Sequence, residues 1–176
     1  MSTNPFTLAH KTTVDVLRNS PAVHTAVKNY RKNIIDFTEQ RLVTKDKVSE
    51  ADLPELLVVY EGSLPNFYFS SSHVSVVSNY HIRISTGDQR PDAMVWPVQF
   101  AVLSCMCKAF LDDVYQALTW NDRQFVQDVV PTNIVAGFSD PEANRGIKGW
   151  VSVFSFTLTM QFARQDLIAF CDGNIT

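Results

Sequence analysis

Cysteine, charge of one sign and long apolar runs are all scarce in this sequence of 176 residues. Its three cysteines are an odd number without the spacing of a disulfide scaffold, so we expect a reducing compartment. The formal net charge of -3 gives no electrostatic indication of nucleic acid or an anionic membrane as a partner. No window holds the roughly 18 apolar residues of a membrane-spanning helix, and the start of the chain lacks the basic and apolar blocks of a signal peptide. These absences predict a soluble protein made in a cytoplasm.

The composition is that of an ordinary globular protein, with 45% hydrophobic and 19% charged residues. A chain of this length buries roughly 70% of its unfolded surface on folding, which is enough for a self-sufficient core. We therefore expect a single domain over residues 1–176. Two segments fall outside its regular elements: a flexible leader at residues 1–6, and a long exposed loop at residues 38–54 that is polar, mixed in charge and without clear period.

Two long segments alternate apolar and polar side chains with the period of two that marks a β-strand. Residues 149–162 read GWVSVFSFTLTMQF, and residues 73–85 read HVSVVSNYHIRIS. We expect one face of each strand to pack on a core. The alternate face is polar and rich in hydroxyl groups, and in the earlier strand it includes the residues from His73 to Ser85 taken in twos. The expected core faces carry Trp150, Ser152, Phe154, Phe156, Leu158, Met160 and Phe162 in one strand, and Val74, Val76, Ser78, Tyr80, Ile82 and Ile84 in the other.

Helical spacing marks three other segments. The first two are separated by Asn19-Ser20-Pro21, where Ser20 is expected to be an N-cap and Pro21 the first residue of the second helix. The third helix is expected at about residues 93–118, and large apolar side chains recur along it every three or four residues. We expect that stripe to lie on a sheet or on another helix. Its members are Trp96, Phe100, Leu103, Cys107, Phe110, Val114 and Leu118.

Shorter strands are expected at residues 55–60 and around 133–138, with a polar connector between Trp120 and the second of them. Because strands and helices do not alternate strictly, a doubly wound parallel sheet is disfavoured. We predict an α+β fold in which a mostly antiparallel sheet of about four to five strands carries helices mainly on one face. The other face of the sheet then points to water.

The sequence contains no recognised catalytic or metal-binding motif. His73 and His81 share a strand face but lie eight residues apart, or roughly 26 Å, which is too far for one metal ion. Cys105 and Cys107 point in different directions on a helix and cannot act as a redox pair. We therefore expect no enzyme, cofactor or metal site; an enzyme that uses His81 with a carboxylate brought near by folding is the alternative.

Three consecutive aromatic residues, Phe67, Tyr68 and Phe69, follow the first expected strand. They cannot all face one side of a strand, so at least one must lie on the outer surface or in a partner's pocket. Aromatic side chains are favoured anchors of protein interfaces. We expect these three residues to contribute to a subunit interface, the alternative being that a helix or loop of the same chain covers them.

The order of these elements resembles that of the tail-terminator, or tail-completion, proteins of long-tailed bacteriophages. The likeness is a pattern of elements rather than a catalytic signature, and it covers most of the chain, from about Val14 to Leu167. The residues that carry it are VDVLRNSPAVHTAVKN at 14–29, LPELLVVYEG at 53–62, SNYHIRIS at 78–85, PVQFAVLSCMCKAFLDDVYQAL at 97–118 and GWVSVFSFTLTMQFARQDL at 149–167.

The resemblance implies a structural subunit of a ring, usually a hexamer, that stops polymerisation of the tail tube and joins it to the neck beneath the capsid. The implied partners are other copies of the chain, the tail tube protein and the head–tail connector or neck proteins. The implied location is the virion, after synthesis in the cytoplasm of a bacterial host. DNA passes through such a ring without sequence-specific binding, and no membrane takes part. The polar strand faces, with His81, Arg83, Thr157 and Thr159, then meet neighbouring subunits or line the lumen.

Two other functions fit the same sequence. One is a small α+β module that holds an apolar ligand between its helix and its sheet, and the other is a different head–tail joining protein of the neck. A ring subunit predicts rings or a surface that forms them, whereas a ligand-binding module predicts a monomer with an internal cavity.

Overall fold

Long strands dominate the part of the chain that the computed structural model describes, which comprises residues 4–31, 38–39, 55–63, 68–86, 96–138 and 149–173. Within these residues the chain forms four helices and eight strands. The helices are α1 (Pro5–Arg18), α2 (Pro21–Arg31), α3 (Trp96–Leu111) and α4 (Arg164–Cys171). The strands are β1 (Thr38–Glu39), β2 (Glu55–Ser63), β3 (Tyr68–Phe69), β4 (His73–Thr86), β5 (Thr119–Trp120), β6 (Arg123–Gln124), β7 (Val126–Phe138) and β8 (Trp150–Ala163).

The centre of the sheet is the antiparallel pair of β4 and β8, which stay in register from His73 opposite Ala163 to Thr86 opposite Trp150. The strand order is β1-β2-β4-β8-β7, and β3 pairs with the first residues of β4. β1 joins β2 in parallel, and the other described pairs are antiparallel. The predicted α+β class with a mostly antiparallel sheet is confirmed.

The predicted core face of both long strands is the buried one. Alternation buries every second residue over residues 152–162 of β8 and 74–84 of β4. Aromatic rings stack across the pair, with the ring centroids of Tyr80 and Phe156 5.6 Å apart. We call this side the inner face, and the side formed by the alternate residues the outer face. Residues of α1, α2 and α3 join the inner face in one hydrophobic core, which places these helices on one side of the sheet.

Helix α1 begins inside the segment expected to be a flexible leader, so residues 5 and 6 are helical. Asn4 is the reason, because its side-chain oxygen accepts a hydrogen bond from the N–H of Phe6 at 2.9 Å. Pro5 occupies the first helical position, where its missing N–H costs nothing. Residues 1–3 of the expected leader lie outside the described residues.

The predicted start of α2 is correct, whereas the expected loop after it is only partly described by the structure. Ser20 is confirmed as an N-cap, since its hydroxyl oxygen accepts a hydrogen bond from the N–H of Val23 at 3.4 Å. The expected loop at residues 38–54 begins instead with β1, which pairs with β2. Residues 40–54 lie outside the described part of the chain, and the loop there stays a prediction.

Helix α3 is shorter than predicted. It ends at Leu111 rather than at residue 118, and a turn follows in which Asp113 adopts a left-handed φ of 53°. A helix cannot continue through that conformation, which aspartate tolerates better than most residues. Residues 93–95, where the helix was expected to start, lie outside the described residues.

The orientation predicted for α3 is right for only part of the stripe: Leu103 and Phe110 pack against the core as expected, but the first turns of the helix do not. Trp96 and Phe100 are 54% and 70% exposed, and Leu103 is only half-buried. The fully buried positions of α3 hold smaller or slimmer side chains, which let the helix approach α1 and α2 closely. The buried residues of α3 are Val98, Ala101, Val102, Met106 and Ala109.

Strand β7 is longer than the strand expected at residues 133–138, because the residues expected to form a polar connector also pair with β8. β7 is the last strand in the described order, so one of its edges has no described strand beside it. Polar residues are tolerated there, and the register shifts twice, between Val126 and Asp128 and between Pro131 and Asn133. Both effects hide the alternation that would have revealed the strand.

Candidate functional site

The outer face brings four of the sequence-predicted site residues onto one surface. His81 and Arg83 lie on β4, and Thr157 and Thr159 lie on β8 in the cross-strand rows that follow them. Same-face side chains of neighbouring rows are within about 5–8 Å of one another, so the four form a continuous band. All four are partly exposed. The band offers hydroxyl, imidazole and guanidinium groups on a rigid sheet.

This outer face is not open along its whole length. Ser85, which was expected on the exposed side, is completely buried. It lies between two strands, opposite Glu55 of β2 and Val151 of β8, and its side chain is too short to reach past larger neighbours. Leu57, which pairs with Arg83, is also buried. The exposed part of the band therefore begins at Arg83 and extends towards Thr159.

A β-bulge in β2 supplies His81 with a partner. The register shifts between Tyr60 and Gly62, so Glu61 is an extra residue in the strand, and its carboxylate oxygen lies 3.2 Å from Nε2 of His81. Gly62 adopts a φ of 103°, a conformation that favours glycine. The bulge and its glycine therefore position the carboxylate against the imidazole ring.

Burial lowers the pKa of His81 below its usual value. The Glu61 carboxylate opposes this effect and the Arg83 guanidinium adds to it. The imidazole is consequently neutral at pH 7, and its Nε2–H can donate to the Glu61 carboxylate. Among the described residues, no group of three His, Cys, Asp or Glu side chains is placed to hold a metal ion.

The cysteines are free thiols in different environments. Burial raises the pKa of Cys105, whose thiol donates to the carbonyl oxygen of Val16 at 3.4 Å. A thiol with a raised pKa is a poor nucleophile, so Cys105 acts as a small apolar group. Cys107 is half-buried, whereas Cys171 at the end of α4 is exposed.

A buried carboxylate, Asp166, fastens α4 to the β5–β6 hairpin. One oxygen accepts a hydrogen bond from the amide of Asn121 at 2.9 Å, and the other lies 3.4 Å from Nε of Arg123. The cavity beside it has a volume of about 60 Å³. Since a water molecule takes about 30 Å³, this space suits ordered water rather than an organic ligand. The cluster positions α4 and performs no evident chemistry.

One apolar corner of the molecule lies where β3 meets α4. Phe69 is 71% exposed and Tyr68 is similarly exposed, whereas Phe67, the third predicted anchor, lies outside the described residues. Beside Phe69, a groove of about 560 Å³ runs between the start of β4 and α4. We call it the α4 groove; its apolar lining is Phe69, Val74, Leu167 and Ile168, and Arg164, Asp172 and Cys171 also border it.

A second apolar corner lies where the start of α3 crosses β7 and β8. Trp96 and Phe100, four residues apart on the helix, form what we call the α3 ridge. Ile134 of β7 is also exposed, and together the three residues border a shallow depression of about 240 Å³. Among the described residues that line this depression, none carries a charge. The ridge is thus an apolar surface facing solvent.

The two corners are diagonally opposite. β3 lies beside the first residues of β4, on the side away from β8, whereas Ile134 belongs to β7 on the far side of β8. Val74 borders the α4 groove and Ile84 borders the depression, ten residues away along β4. That spacing corresponds to about 33 Å. The chain therefore presents two different apolar surfaces that cannot touch one another.

The sequence revealed only part of this arrangement. Tyr68 and Phe69 were found because adjacent aromatics cannot share one strand face. The α3 ridge was missed, although one signal was available: the helix carries apolar residues on all sides, which is typical of a helix that is buried all round. The contribution of α4 depends on the tertiary contact between Asp166 and the β5–β6 hairpin, which no local pattern announces.

None of the helices that the structure describes is both long and apolar enough to cross a membrane. In comparisons of sequence, no known protein family matches this chain, and no curated protein matches it either.

Proposed function

We propose that this protein is a structural subunit that assembles with copies of itself into a ring of the tail-terminator type in a phage virion. The observation that carries the proposal is the pair of unlike apolar corners, the α4 groove and the α3 ridge, at opposite ends of one rigid sheet. A closed ring forms through head-to-tail contacts, and each subunit then needs two different surfaces. Large exposed apolar surfaces on a protein of this size are typical of interaction sites.

The order of elements supports the same proposal. Two helices separated by a break, a strand, the long β4, the long α3 and the closing long β8 follow one another along the chain. This is the order on which the resemblance to tail-terminator proteins rests. The proposed partners are accordingly other copies of the chain, the tail tube protein and the head–tail connector, within a virion assembled in a bacterial cytoplasm.

The outer face fits a passive role in such a ring. It carries hydroxyl groups and a neutral imidazole, and the charges of Glu61 and Arg83 are of opposite sign. A surface with little net charge lets DNA pass without strong binding, since binding strength depends on neutralised phosphates. The outer face of each subunit would line the opening or meet the next layer of the virion, and this function needs no catalytic group.

Assembly of the purified protein is the direct test. We expect light scattering coupled to size-exclusion chromatography to show a defined oligomer, and negative-stain images to show closed rings with a central opening. Added to polymerising tail tube protein, these rings should cap the tubes and limit their length. Rings that bind the connector but leave tube length unchanged would indicate another joining protein of the neck, and a protein that stays monomeric at millimolar concentration would contradict the proposal.

A ligand-binding module is the second candidate, and the volume of the α4 groove favours it. About 560 Å³ with an apolar lining lies within the usual range of roughly 300–1,000 Å³ for small-molecule sites. This function predicts a monomer that binds an apolar fluorescent probe at one site. Substitution of Ile168 in the groove would then abolish probe binding without any change in molecular mass.

A further inference from the structure

Helix α3 has more apolar surface than the fold uses. Its small residues are packed in the core, yet Trp96 and Phe100 remain 54% and 70% exposed. From Trp96 to Cys107 the helix carries no charged residue. A helix that faces solvent on one side normally places charged side chains there. The first two turns of α3 are therefore suited to a further packing partner.

The α4 groove has the size and lining to receive that helix face. A benzene ring occupies a cavity of about 150 Å³, so a groove of about 560 Å³ has room for two aromatic side chains. Trp96 and Phe100 lie about 5–6 Å apart at their Cβ atoms, as residues four apart on a helix do. Helices that dock in apolar grooves use anchors with this spacing.

We propose that the α3 ridge of one copy of this chain inserts into the α4 groove of the next copy and forms the head-to-tail contact of an assembly. The inference rests on the proposed function as a self-assembling subunit. Ridge and groove lie at opposite corners of the same chain, so every copy offers one surface and accepts the other. Repetition of such a contact produces a closed ring when the rotations between successive subunits add up to a full turn.

The electrostatics of both surfaces fit a second copy as the occupant. The ridge is uncharged, and in the described part of the chain the charged residues that border the groove, Arg164 and Asp172, have opposite signs. Both residues are exposed, so their charges can stay in water when a neutral ridge docks on the apolar lining, and no unpaired charge need be buried. A strongly acidic or basic partner would gain nothing from a groove of this kind.

The area of the ridge is sufficient for the centre of an interface. Aromatic side chains bury about 150–250 Å² each, so the exposed fractions of Trp96 and Phe100 leave about 250 Å² available. A stable interface buries about 800 Å² on each partner. The ridge alone therefore supplies about a third of the area that one partner buries. The residues that dominate the binding energy of an interface are usually a minority of this size. The exposed Ile134 beside it enlarges the apolar contact.

Two charge substitutions and their mixture test the contact. Phe100→Asp disables the ridge and leaves the groove intact, whereas Ile168→Asp disables the groove and leaves the ridge intact. Each variant alone should lose at least about 30-fold in association constant, as expected for an anchor worth 2 kcal/mol or more. Mixed together, the two should form a one-to-one dimer that grows no further, since only one ridge and one groove remain active. Leu111→Asp is the matched control, because Leu111 lies on the same helix, is 83% exposed and is not part of the ridge.

The results of this experiment distinguish a failure of the proposed contact from a failure of the proposed function. If the wild-type protein forms rings and both variants still form them, the proposed contact is overturned but the ring function is not. A wild-type protein that never assembles would overturn both. A mixture of the two folded variants that stays monomeric would also overturn the contact, and circular dichroism confirms that each variant is folded.

Chemical cross-linking gives an independent readout, because Cys171 already borders the groove and is exposed. The variant Ser104→Cys, one turn beyond Phe100 on the same helix, keeps both ridge residues and should form a ladder of covalent multimers with a short thiol-specific cross-linker, and the added substitution Cys171→Ser should abolish the ladder. The two positions lie at opposite corners of one chain, so the bond must join two copies. An equal ladder from Leu111→Cys would overturn the proposed geometry.

Discussion

The inner and outer faces of the β4–β8 pair share one backbone and differ in nearly every other property. On the inner face the ring of Phe156 lies within 5.5–6.2 Å of the rings of Tyr80, Phe110, Tyr115 and Phe154. On the outer face, half-exposed hydroxyl groups surround the contact between His81 and Glu61. The inner face therefore carries the stability of the fold, whereas the outer face is available for contacts outside the chain.

Because of this difference, the contribution of a side chain to the free energy of unfolding depends on the face it occupies more than on its residue type. Buried aromatic contacts combine transfer from water with close packing, and both are lost when a ring is removed. Polar contacts on a half-exposed surface compete with water and are worth far less. Adjacent residues of β8 should consequently respond to the same substitution in very different ways.

The largest expected effect comes from neighbouring substitutions in β8. Phe156→Ala should lower the free energy of unfolding by about 3–5 kcal/mol, because it opens a cavity among four rings. Thr157→Ala, one residue along on the outer face, should change it by less than about 0.5 kcal/mol. Urea denaturation of both variants checks the comparison. Similar losses from the two would show that the outer face is also packed.

A buried hydrogen bond behind the inner face should give the next largest effect. The hydroxyl of Thr13 donates to the carbonyl oxygen of Ala9 and lies 2.8 Å from the hydroxyl of Tyr115, which must therefore be the donor of that bond. Tyr115→Phe should cost about 1–2 kcal/mol, because it leaves a buried acceptor unsatisfied. The exposed Tyr68→Phe is the matched control and should cost nothing measurable. Equal denaturation midpoints for wild type and Tyr115→Phe would contradict the buried hydrogen bond.

The smallest effect is confined to acid pH and belongs to the outer face. Burial lowers the pKa of His81 below that of the unfolded chain, about 6.5, so the unfolded state binds more protons as the pH falls through that window. Stability should therefore be fully present above pH 6.5 and decline below it. His81→Gln should remove this decline, and Glu61→Gln should deepen it because the carboxylate raises the pKa of His81.

Thermal unfolding measured between pH 4 and 8 checks these expectations. A decline that persists in His81→Gln would assign the acid sensitivity to another group.

The sequence predicts strands and helices unequally well in this protein. In β4 and β8, strict alternation of two classes of side chain leaves one possible buried face, and the prediction was right. In α3, apolar residues surround the whole helix, so periodicity cannot choose a face; the choice is made by size, since small residues permit close approach to α1 and α2. The ridge of Trp96 and Phe100 follows from that choice and could not be read from spacing.

The candidate site was predictable only where it depends on local rules. His81, Arg83, Thr157 and Thr159 share a face because strands alternate, and that placement is correct. The pairing of His81 with Glu61 requires an extra residue in β2, for which Gly62 was the available sign. The α4 groove joins β3 to residues about a hundred positions later, a distance over which sequence patterns carry no information about contact.

The two register shifts in β7 have a consequence for how copies of this chain can join. A long, regular edge strand is a template on which further strands add without limit, and fibrous aggregates grow in this way. In β7 the two register shifts interrupt the regular pairing pattern, and Pro131 has no N–H group to donate to another strand. Sheet-to-sheet growth is thereby discouraged, which agrees with our proposal that copies associate through side chains of defined shape. Contacts of that kind fix an angle between neighbours and allow an assembly of finite size.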